Sequence, residues 1–364
     1  MSATKHNWTK QEILDIYNKP LMELLYEAAT IHRKNHDPNV VQVSTLLSIK
    51  TGGCPEDCGY CPQAARYHTD IEGNDLMTVQ QVKAQALRAK STGSSRVCMG
   101  AAWRNVKDGE EFDQVLEMVR TINKLDMEVC CTLGMITENQ AQRLAEAGLY
   151  AYNHNLDSSE EYYKEVISTR GFEDRLETID NVRKTNVTVC SGGIIGMGEK
   201  VEDRAGMLVA LSTLNPQPES TPINALVAVE GTPLEDQKPV SIWDMVRMVA
   251  TTRIIMPETQ VRLSAGRTQM TREGQALCFF AGANSIFAGD KLLTTPNPDV
   301  NEDMEMFKML GLNPQKPFTK KVQPQTVEAD ESKFEALGEK PKWTRPEHNI
   351  ERNEAAKQKA KVVK

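Results

Sequence analysis

The sequence lacks an excess of positive charge, and it lacks long apolar runs. Its 364 residues include 43 Lys and Arg against 50 Asp and Glu, which gives a formal net charge of −7. This balance argues against a nucleic-acid binder, because such proteins usually carry a basic surface. No apolar run is long enough to span a membrane, and the N-terminus resembles neither a secretory signal nor a transit peptide. We therefore expect a cytoplasmic protein that binds neither nucleic acid nor a membrane.

Eight cysteines are present, and the expected compartment changes how they are interpreted. Reducing compartments keep thiols free, so a disulfide framework is not expected and metal or catalytic roles are favoured. The cysteines are Cys54, Cys58, Cys61, Cys98, Cys130, Cys131, Cys190 and Cys278.

Short β-branched segments alternate with amphipathic segments through most of the chain. The pattern predicts strands at 40–49, 95–101, 127–133, 149–155, 186–195, 223–229, 259–265 and 284–289. It predicts helices between them at 78–92, 109–125, 137–147, 172–185, 202–214, 241–256 and 270–282. Eight strands with crossovers between them predict an α/β fold in which a parallel sheet closes into a TIM-type β/α barrel. An open doubly wound sheet is the competing arrangement.

The two ends of the chain differ in character from the barrel region, which we place at residues 39–315. Residues 1–38 are predicted to form an N-terminal helical extension, because apolar residues recur at helical spacing over 9–35. Residues 316–364 are rich in Lys, Glu, Gln and Pro and predict a disordered, low-complexity charged tail. A short fraying helix is the alternative for this tail.

The strongest local pattern is a group of three cysteines on one short loop. Cys54, Cys58 and Cys61 follow the first predicted strand, at the end of a barrel strand where barrel enzymes keep their chemistry. Thiolates are soft ligands that select zinc, copper(I) or iron–sulfur clusters. A zinc site would need a fourth ligand such as His68, whereas a 4Fe-4S cluster held by three cysteines leaves one iron open. A cluster is the favoured interpretation, with zinc and unliganded thiols as alternatives.

This C-x3-C-x-aromatic-C pattern, with Tyr60 as its aromatic residue, resembles the radical S-adenosylmethionine enzymes. The resemblance implies a 4Fe-4S cluster on Cys54, Cys58 and Cys61, whose open iron binds S-adenosylmethionine. Reduction of the cluster would then cleave this cofactor to methionine and a 5′-deoxyadenosyl radical.

A glycine-rich run, Gly192 to Glu199, ends the fifth predicted strand. Taken alone it indicates a tight strand-to-helix turn, because it matches neither a dinucleotide fingerprint nor a P-loop. In context it is similar to the G-x-I-x-G-x-x-E element that lies near adenosine in the same family. The resemblance implies a cofactor-binding set of Tyr60, Asn155, Asp157, Gly193, Ile194 and Glu199.

Strand alternation sorts the cysteines outside the loop, since successive side chains point to opposite faces of a sheet. Cys98, Cys130 and Cys190 fall on the inward face of three strands, and Arg262 falls on the inward face of a fourth. Cys131 falls on the helix-facing side. A single buried cysteine is most often a small core residue, but convergence of three favours a second site.

This inner set, with the stretches 95–103, 152–157, 261–267 and 294–298, is similar to the biotin synthase branch of the family. The resemblance implies a 2Fe-2S cluster held by Cys98, Cys130, Cys190 and Arg262, and sulfur insertion from that cluster between C6 and C9 of dethiobiotin. The arginine ligand rests wholly on the resemblance, because a cationic guanidinium is a poor ligand. The catalytic set implied is Cys54, Cys58, Cys61 and Arg262.

The resemblance also implies substrate contacts and partners. Asn153 and Asn224 would hydrogen-bond the ureido ring of dethiobiotin, and Thr294 and Thr295 would meet its carboxylate. The partners implied are an electron donor such as a flavodoxin system, iron–sulfur assembly proteins and a second copy in a homodimer. Two alternatives stay open: another radical enzyme of this barrel type, such as a methylornithine-forming mutase or a maturase, and a zinc-stabilised barrel that acts as a binding module.

Overall fold

A closed ring of parallel strands forms the body of the protein in the computed structural model, which describes residues 4–289 and 291–319. The ring contains β1 (Val40–Lys50), β2 (Arg96–Ala101), β3 (Glu128–Thr132), β4 (Ala151–Asn153), β5 (Thr188–Cys190), β6 (Gly193–Ile195), β7 (Ser220–Ala225), β8 (Gln260–Leu263) and β9 (Ser285–Ala288). It closes because β1 pairs with both β2 and β9. β5 and β6 both lie beside β7 and share one barrel position. The predicted eight-stranded barrel is therefore confirmed, and the alternative prediction of an open doubly wound sheet is wrong.

Helices connect the strands and cover the outside of the barrel. Those in the described residues are α1 (Lys10–Tyr17), α2 (Leu21–Asn35), α3 (Val79–Ser91), α4 (Glu110–Asn123), α5 (Glu138–Glu146), α6 (Glu160–Val166), α7 (Phe172–Arg183), α8 (Val201–Thr213), α9 (Ile242–Ile255), α10 (Arg272–Phe280) and α11 (Val300–Leu310). Most begin where a Ser, Thr or Asp side chain accepts a backbone N–H of the first turn, as Thr78 does from Gln81. Within the described ranges, no helix has the length and apolar character needed to cross a membrane.

Several boundaries differ from the sequence pattern. The predicted helical segment 9–35 is divided into α1 and α2 near Pro20, because proline lacks the N–H that a continuous helix would need. The strand predicted at 223–229 begins earlier, at Ser220. Neither α6 nor α11 was predicted, nor was the antiparallel hairpin of β10 (Lys291–Leu292) and β11 (Thr295–Pro296).

The apolar core has two parts separated by the sheet. The large part fills the space between strands and helices and includes Val97, Met99, Val129 and Cys131. The small part lies inside the barrel and consists of Cys98, Cys130, Ala151, Phe287 and Leu292. Alternate residues of β2 and β3 thus face opposite layers, as strand geometry requires.

The segment that follows α11 closes the end of the barrel where the strands begin. There β12 (Asn313–Pro314) pairs in parallel with the start of β1, and the Gln315 N–H donates to the Val41 carbonyl at 2.8 Å. Phe318 then packs its ring edge-on against Tyr150, with 6.2 Å between ring centroids. Of the predicted tail, residues 316–319 are described, and the remainder lies outside the described residues.

Candidate functional site

The three-cysteine loop is tied to the segment that joins α6 to α7. The buried Asp57 carboxylate accepts the backbone N–H of Ser168 at 2.9 Å and that of Thr169 at 3.1 Å, and it also accepts the Ser168 hydroxyl. Gly59 donates its N–H to the Val166 carbonyl at 2.9 Å, and the Tyr67 hydroxyl donates to the Asp57 carbonyl at 2.5 Å. Because charged acceptors form strong hydrogen bonds, Asp57 fixes the loop between its first and second cysteines.

Burial governs the acidity of the three loop thiols. It raises the pKa of Cys61 to about 11 and raises the pKa values of Cys54 and Cys58 as well. The guanidinium groups of Arg170 and Arg175 partly oppose this effect at Cys58. Protonated thiols must lose their protons to bind a metal, so loading of this loop should release protons.

The loop offers three thiols as candidate ligands. In residues 4–289 and 291–319, no three His, Cys, Asp or Glu side chains converge tightly enough to ligate one metal ion. Thiolates are the ligands that iron–sulfur clusters use. Iron–sulfur ligation by this loop stays a prediction.

A buried carboxylate, Asp157, lies beside this loop. Its Oδ2 accepts the Tyr60 hydroxyl at 2.8 Å and also pairs with the guanidinium of Arg175. Arg175 donates in addition to the Tyr163 hydroxyl at 2.9 Å. Sequence reasoning missed Arg175, although an arginine on the apolar stripe of α7, in line with Ile179, was a signal for it.

The glycine-rich run meets the end of β4 at close range. Gly192 donates its N–H to Asn155 Oδ1 at 3.2 Å, and Ile194 donates its N–H to the Asp157 carbonyl at 2.9 Å. At Gly193 an added Cβ would lie 2.7 Å from that same carbonyl oxygen, so only glycine allows this approach. The structure thus brings Tyr60, Asn155, Asp157, Gly193 and Ile194 together, and their role at a cofactor stays a prediction.

Glu199 shapes the turn that follows β6. Its carboxylate accepts the N–H of Gly196 at 2.9 Å and that of Met197 at 2.7 Å, and it pairs with Arg204 Nε at 2.8 Å. The Glu199 carboxylate therefore forms its hydrogen bonds and its ion pair within the protein. A role of Glu199 at the cofactor stays a prediction, and it would act through the shape of the turn.

Inside the barrel, three thiols and a guanidinium face one another from four strand positions. Cys98 and Cys130 are paired in register across β2 and β3, and each is at most 3% exposed. Arg262 Nη1 lies 3.7 Å from Cys190 Sγ. Arg262 is held by Ser285 Oγ and Gln42 Oε1, both at 2.9 Å.

Hydrogen bonding and charge make one inner thiol acidic. The Cys130 thiol donates to Cys98 and, with help from Arg262 and Arg96, lowers the pKa of Cys98 to about 7 despite its burial. The same bond and burial raise the pKa of Cys130. Metal binding needs thiolates, and this hydrogen bond makes one of the inner thiols easier to ionise.

The two predicted substrate asparagines have different environments. Asn153 donates its Nδ2 to Thr132 Oγ1 at 3.0 Å, while its Oδ1 is buried without a hydrogen-bond partner. Asn224 donates to the Gly193 carbonyl at 3.0 Å and accepts the Ala265 N–H at 3.2 Å. A buried unpaired acceptor is costly, so Asn153 Oδ1 points to a group that binds there.

The hairpin of β10 and β11 covers the mouth of the barrel and carries both predicted threonines. Leu292 packs inside the barrel with Cys98 and Cys130. Thr295 Oγ1 donates to the Leu292 carbonyl at 3.2 Å, and Thr294 lies half-buried at the tip of the hairpin.

A group of ion pairs lies next to the inner thiols, on the side where the strands begin. Its residues on β2 and β3 precede Cys98 and Cys130 by one inward-facing position. Arg96 Nε donates to Glu128 Oε2 at 2.8 Å, and its two terminal nitrogens each lie 3.2 Å from a Glu219 oxygen. The guanidinium also lies 4.8 Å from the Tyr150 ring centroid. Glu128 Oε1 accepts the Phe318 N–H at 2.7 Å, so the chain segment after β12 completes this floor.

Comparison with known proteins gives consistent matches. The model of the radical SAM superfamily matches residues 48–211, and that of the biotin and thiamin synthesis associated domain matches residues 222–313. A biotin synthase from Flavobacterium psychrophilum is 87% identical over 97% of this chain and 98% of its own. The mitochondrial biotin synthase of Arabidopsis thaliana is 57% identical over 86% of this chain and 83% of its own.

Solved structures share the barrel at much lower identity. Methylornithine synthase has a TM-score of 0.72 at 17% identity, over 90% of this chain and 96% of its own. The FeFe-hydrogenase maturase from Carboxydothermus hydrogenoformans has a TM-score of 0.70 at 15% identity, over 85% of this chain and 76% of its own. These likenesses concern the fold alone.

Proposed function

Because this chain belongs to the biotin synthase family of radical S-adenosylmethionine enzymes, we propose residue roles for the insertion of sulfur between C6 and C9 of dethiobiotin. Cys54, Cys58 and Cys61 hold the 4Fe-4S cluster that this family uses with S-adenosylmethionine. Cys98, Cys130, Cys190 and Arg262 hold a 2Fe-2S cluster that provides the sulfur. The observation that carries this assignment is the convergence of three thiols and one guanidinium inside the barrel, which apolar packing does not require.

When bound, the reduced 4Fe-4S cluster and S-adenosylmethionine supply a 5′-deoxyadenosyl radical, which can abstract hydrogens from C–H bonds too weakly acidic for a general base. The chain orients and shields that chemistry. Asp157, held by Tyr60 and Arg175, offers a fixed carboxylate to the ribose hydroxyls. Leu292 closes the barrel interior above the inner thiols and excludes water that would compete there.

One unsatisfied group near the mouth of the barrel supports the proposed substrate contacts. Asn153 accepts a ureido N–H at its buried Oδ1, which has no partner within the protein. Asn224 is held rigid by two backbone contacts and presents the remaining capacity of its amide to the ring. Thr294 and Thr295 meet the substrate carboxylate from the hairpin above.

The partners proposed are an electron donor such as a flavodoxin system, iron–sulfur assembly proteins and a second copy of the chain. Exposed apolar side chains on α2, Met22 at 74% and Tyr26 at 71%, support a homodimer. All eight cysteines are unpaired, which supports function in a reducing cytoplasm.

The test is product analysis by mass spectrometry after anaerobic reconstitution and reduction, with S-adenosylmethionine and dethiobiotin present. We expect biotin together with 5′-deoxyadenosine. The Cys190→Ala variant should still form 5′-deoxyadenosine but no biotin, because it retains the loop cysteines. If dethiobiotin does not change the rate of 5′-deoxyadenosine formation and no biotin is formed, the proposed substrate is overturned.

A further inference from the structure

Arg170 is a buried cation beside the three-cysteine loop, and the roles proposed above do not include it. It lies in the segment between α6 and α7 and is 7% exposed. Its Nη2 is 3.9 Å from Cys58 Sγ, and its Nη1 is 3.8 Å from Glu56 Oε1. Its Nε is buried without a hydrogen-bond partner. A guanidinium with an unsatisfied N–H inside a protein is costly, so its retention here requires an explanation.

The carboxylate nearest this guanidinium, Glu56, is shared with other groups. Glu56 lies 3.8 Å from Arg170 Nη1, and it also contacts Arg104 Nε at 3.5 Å and accepts the Thr169 hydroxyl. By contrast, Arg175 pairs directly with Asp157. Arg170 therefore brings positive charge to the side of the loop where Cys58 lies.

We propose that Arg170 is a positioning residue that donates to the Cys58 sulfur and raises the reduction potential of the 4Fe-4S cluster. The inference rests on the proposed ligation of that cluster by Cys58. Reduction adds one negative charge to the cluster, and a nearby buried cation stabilises the reduced form more than the oxidised form. Hydrogen bonds to cluster sulfurs and the net local charge are established determinants of such potentials.

The test compares reduction midpoints in the reconstituted full-length protein, by anaerobic redox titration of the EPR signal of the reduced 4Fe-4S cluster. Without S-adenosylmethionine, Arg170→Gln should lower the equilibrium constant for reduction at least tenfold, which is about 59 mV for one electron. Arg170→Lys keeps the charge and should retain most of the midpoint. Iron and sulfide analysis must show equal cluster content in the variants that are compared.

Arg66→Gln is the matched control, because it removes another arginine near the three-cysteine loop. Arg66 is partly exposed and lies 3.6 Å from Asp57 Oδ2, so its loss should shift the midpoint much less. Equal midpoints in the wild-type protein and Arg170→Gln at full cluster content would overturn the proposal.

If the Arg170→Gln protein does not bind its 4Fe-4S cluster, Glu56→Gln provides a second test, in which the reduction midpoint should shift in the opposite direction. Removal of the carboxylate that offsets Arg170 should raise the midpoint, and an unchanged or lower midpoint would refute the role of Arg170. Failure of the ligand assignment itself would appear differently, as a Cys58→Ala variant that keeps the 4Fe-4S signal.

Discussion

At the scale of the residue, two adjacent cysteines of β3 face different layers of the molecule. Cys130 lies in the barrel interior with Cys98, and Cys131 packs in the layer between strands and helices. Both are fully buried, so burial does not separate them. Only Cys130 can contribute to a group inside the barrel.

We therefore expect Cys130→Ala to lose the visible absorption of the 2Fe-2S cluster and Cys131→Ala to keep it. The Cys131 change should lower the free energy of unfolding by about 1 kcal/mol, in the range for loss of one buried heavy atom. Absorption spectroscopy after reconstitution, with iron analysis, checks the pair. Loss of the cluster in Cys131→Ala with retention in Cys130→Ala would contradict the strand register.

The orientation of these thiols follows from the sequence, but several of their polar neighbours do not. Alternation places Cys98, Cys130 and Arg262 inside because a strand has a fixed period of two. Arg170 lies on a connecting segment, where no period applies, and its position beside Cys58 depends on how α6 and α7 pack. The Glu199 contacts with its own turn likewise depend on a backbone path that residue types alone do not specify.

At the scale of the element, α2 carries a buried histidine against α9. His32 is 3% exposed, and its ring stacks on His36 with 5.3 Å between centroids. Burial, and then the charges of Arg253 and Arg33, lower the pKa of His32 to about 3. In the unfolded chain a histidine has a pKa near 6.5.

Between about pH 6.5 and pH 3 the unfolded chain therefore binds a proton at His32 that the folded protein does not. The stability that depends on this residue is complete above pH 6.5 and falls with decreasing pH, by up to about 1.4 kcal/mol per pH unit. We expect His32→Gln to lose that part of the pH dependence. Urea unfolding at pH 7 and pH 5 measures it, and the pH 7 value gives the baseline cost of the substitution. Identical pH dependence in the two proteins would contradict the assignment.

Helices were predicted correctly from the sequence where a capping residue and helical spacing of apolar residues occur together. Residues 78–92 were predicted as a helix and α3 spans Val79–Ser91, because a capping residue and helical spacing occur together there. The hairpin of β10 and β11 has strands of two residues each, and burial of Leu292 inside the barrel holds it in place. Leu292 is distant in sequence from the residues that it contacts inside the barrel, so no local sequence pattern predicts the hairpin.

At the scale of the whole molecule, inward positions of the strands form three layers along the barrel. In β2 these positions are Arg96 at the floor, Cys98 in the middle and Gly100 at the mouth. Gly100 leaves room for the hairpin, since an added Cβ would lie 2.9 Å from a Leu293 methyl group. The inner thiols are therefore enclosed from above by the hairpin and from below by the ion-pair floor.

That floor depends on the chain after α11. Truncation of this segment should therefore destabilise the inner cluster and leave the 4Fe-4S cluster unchanged. A chain that ends at Thr319 keeps the contacts of β12, Gln315 and Phe318 and should hold both clusters. A chain that ends at Leu312 opens the Arg96 and Glu128 pair to water, and it should lose inner-cluster iron to a chelator severalfold faster than the longer chain does. The 4Fe-4S cluster at the opposite end should be unaffected. Spectroscopy of both clusters during chelation measures these rates, with Phe318→Ala as an intermediate case. Equal rates for the two truncations would show that the floor does not protect the inner site, and the enclosure would then be attributed to the hairpin alone.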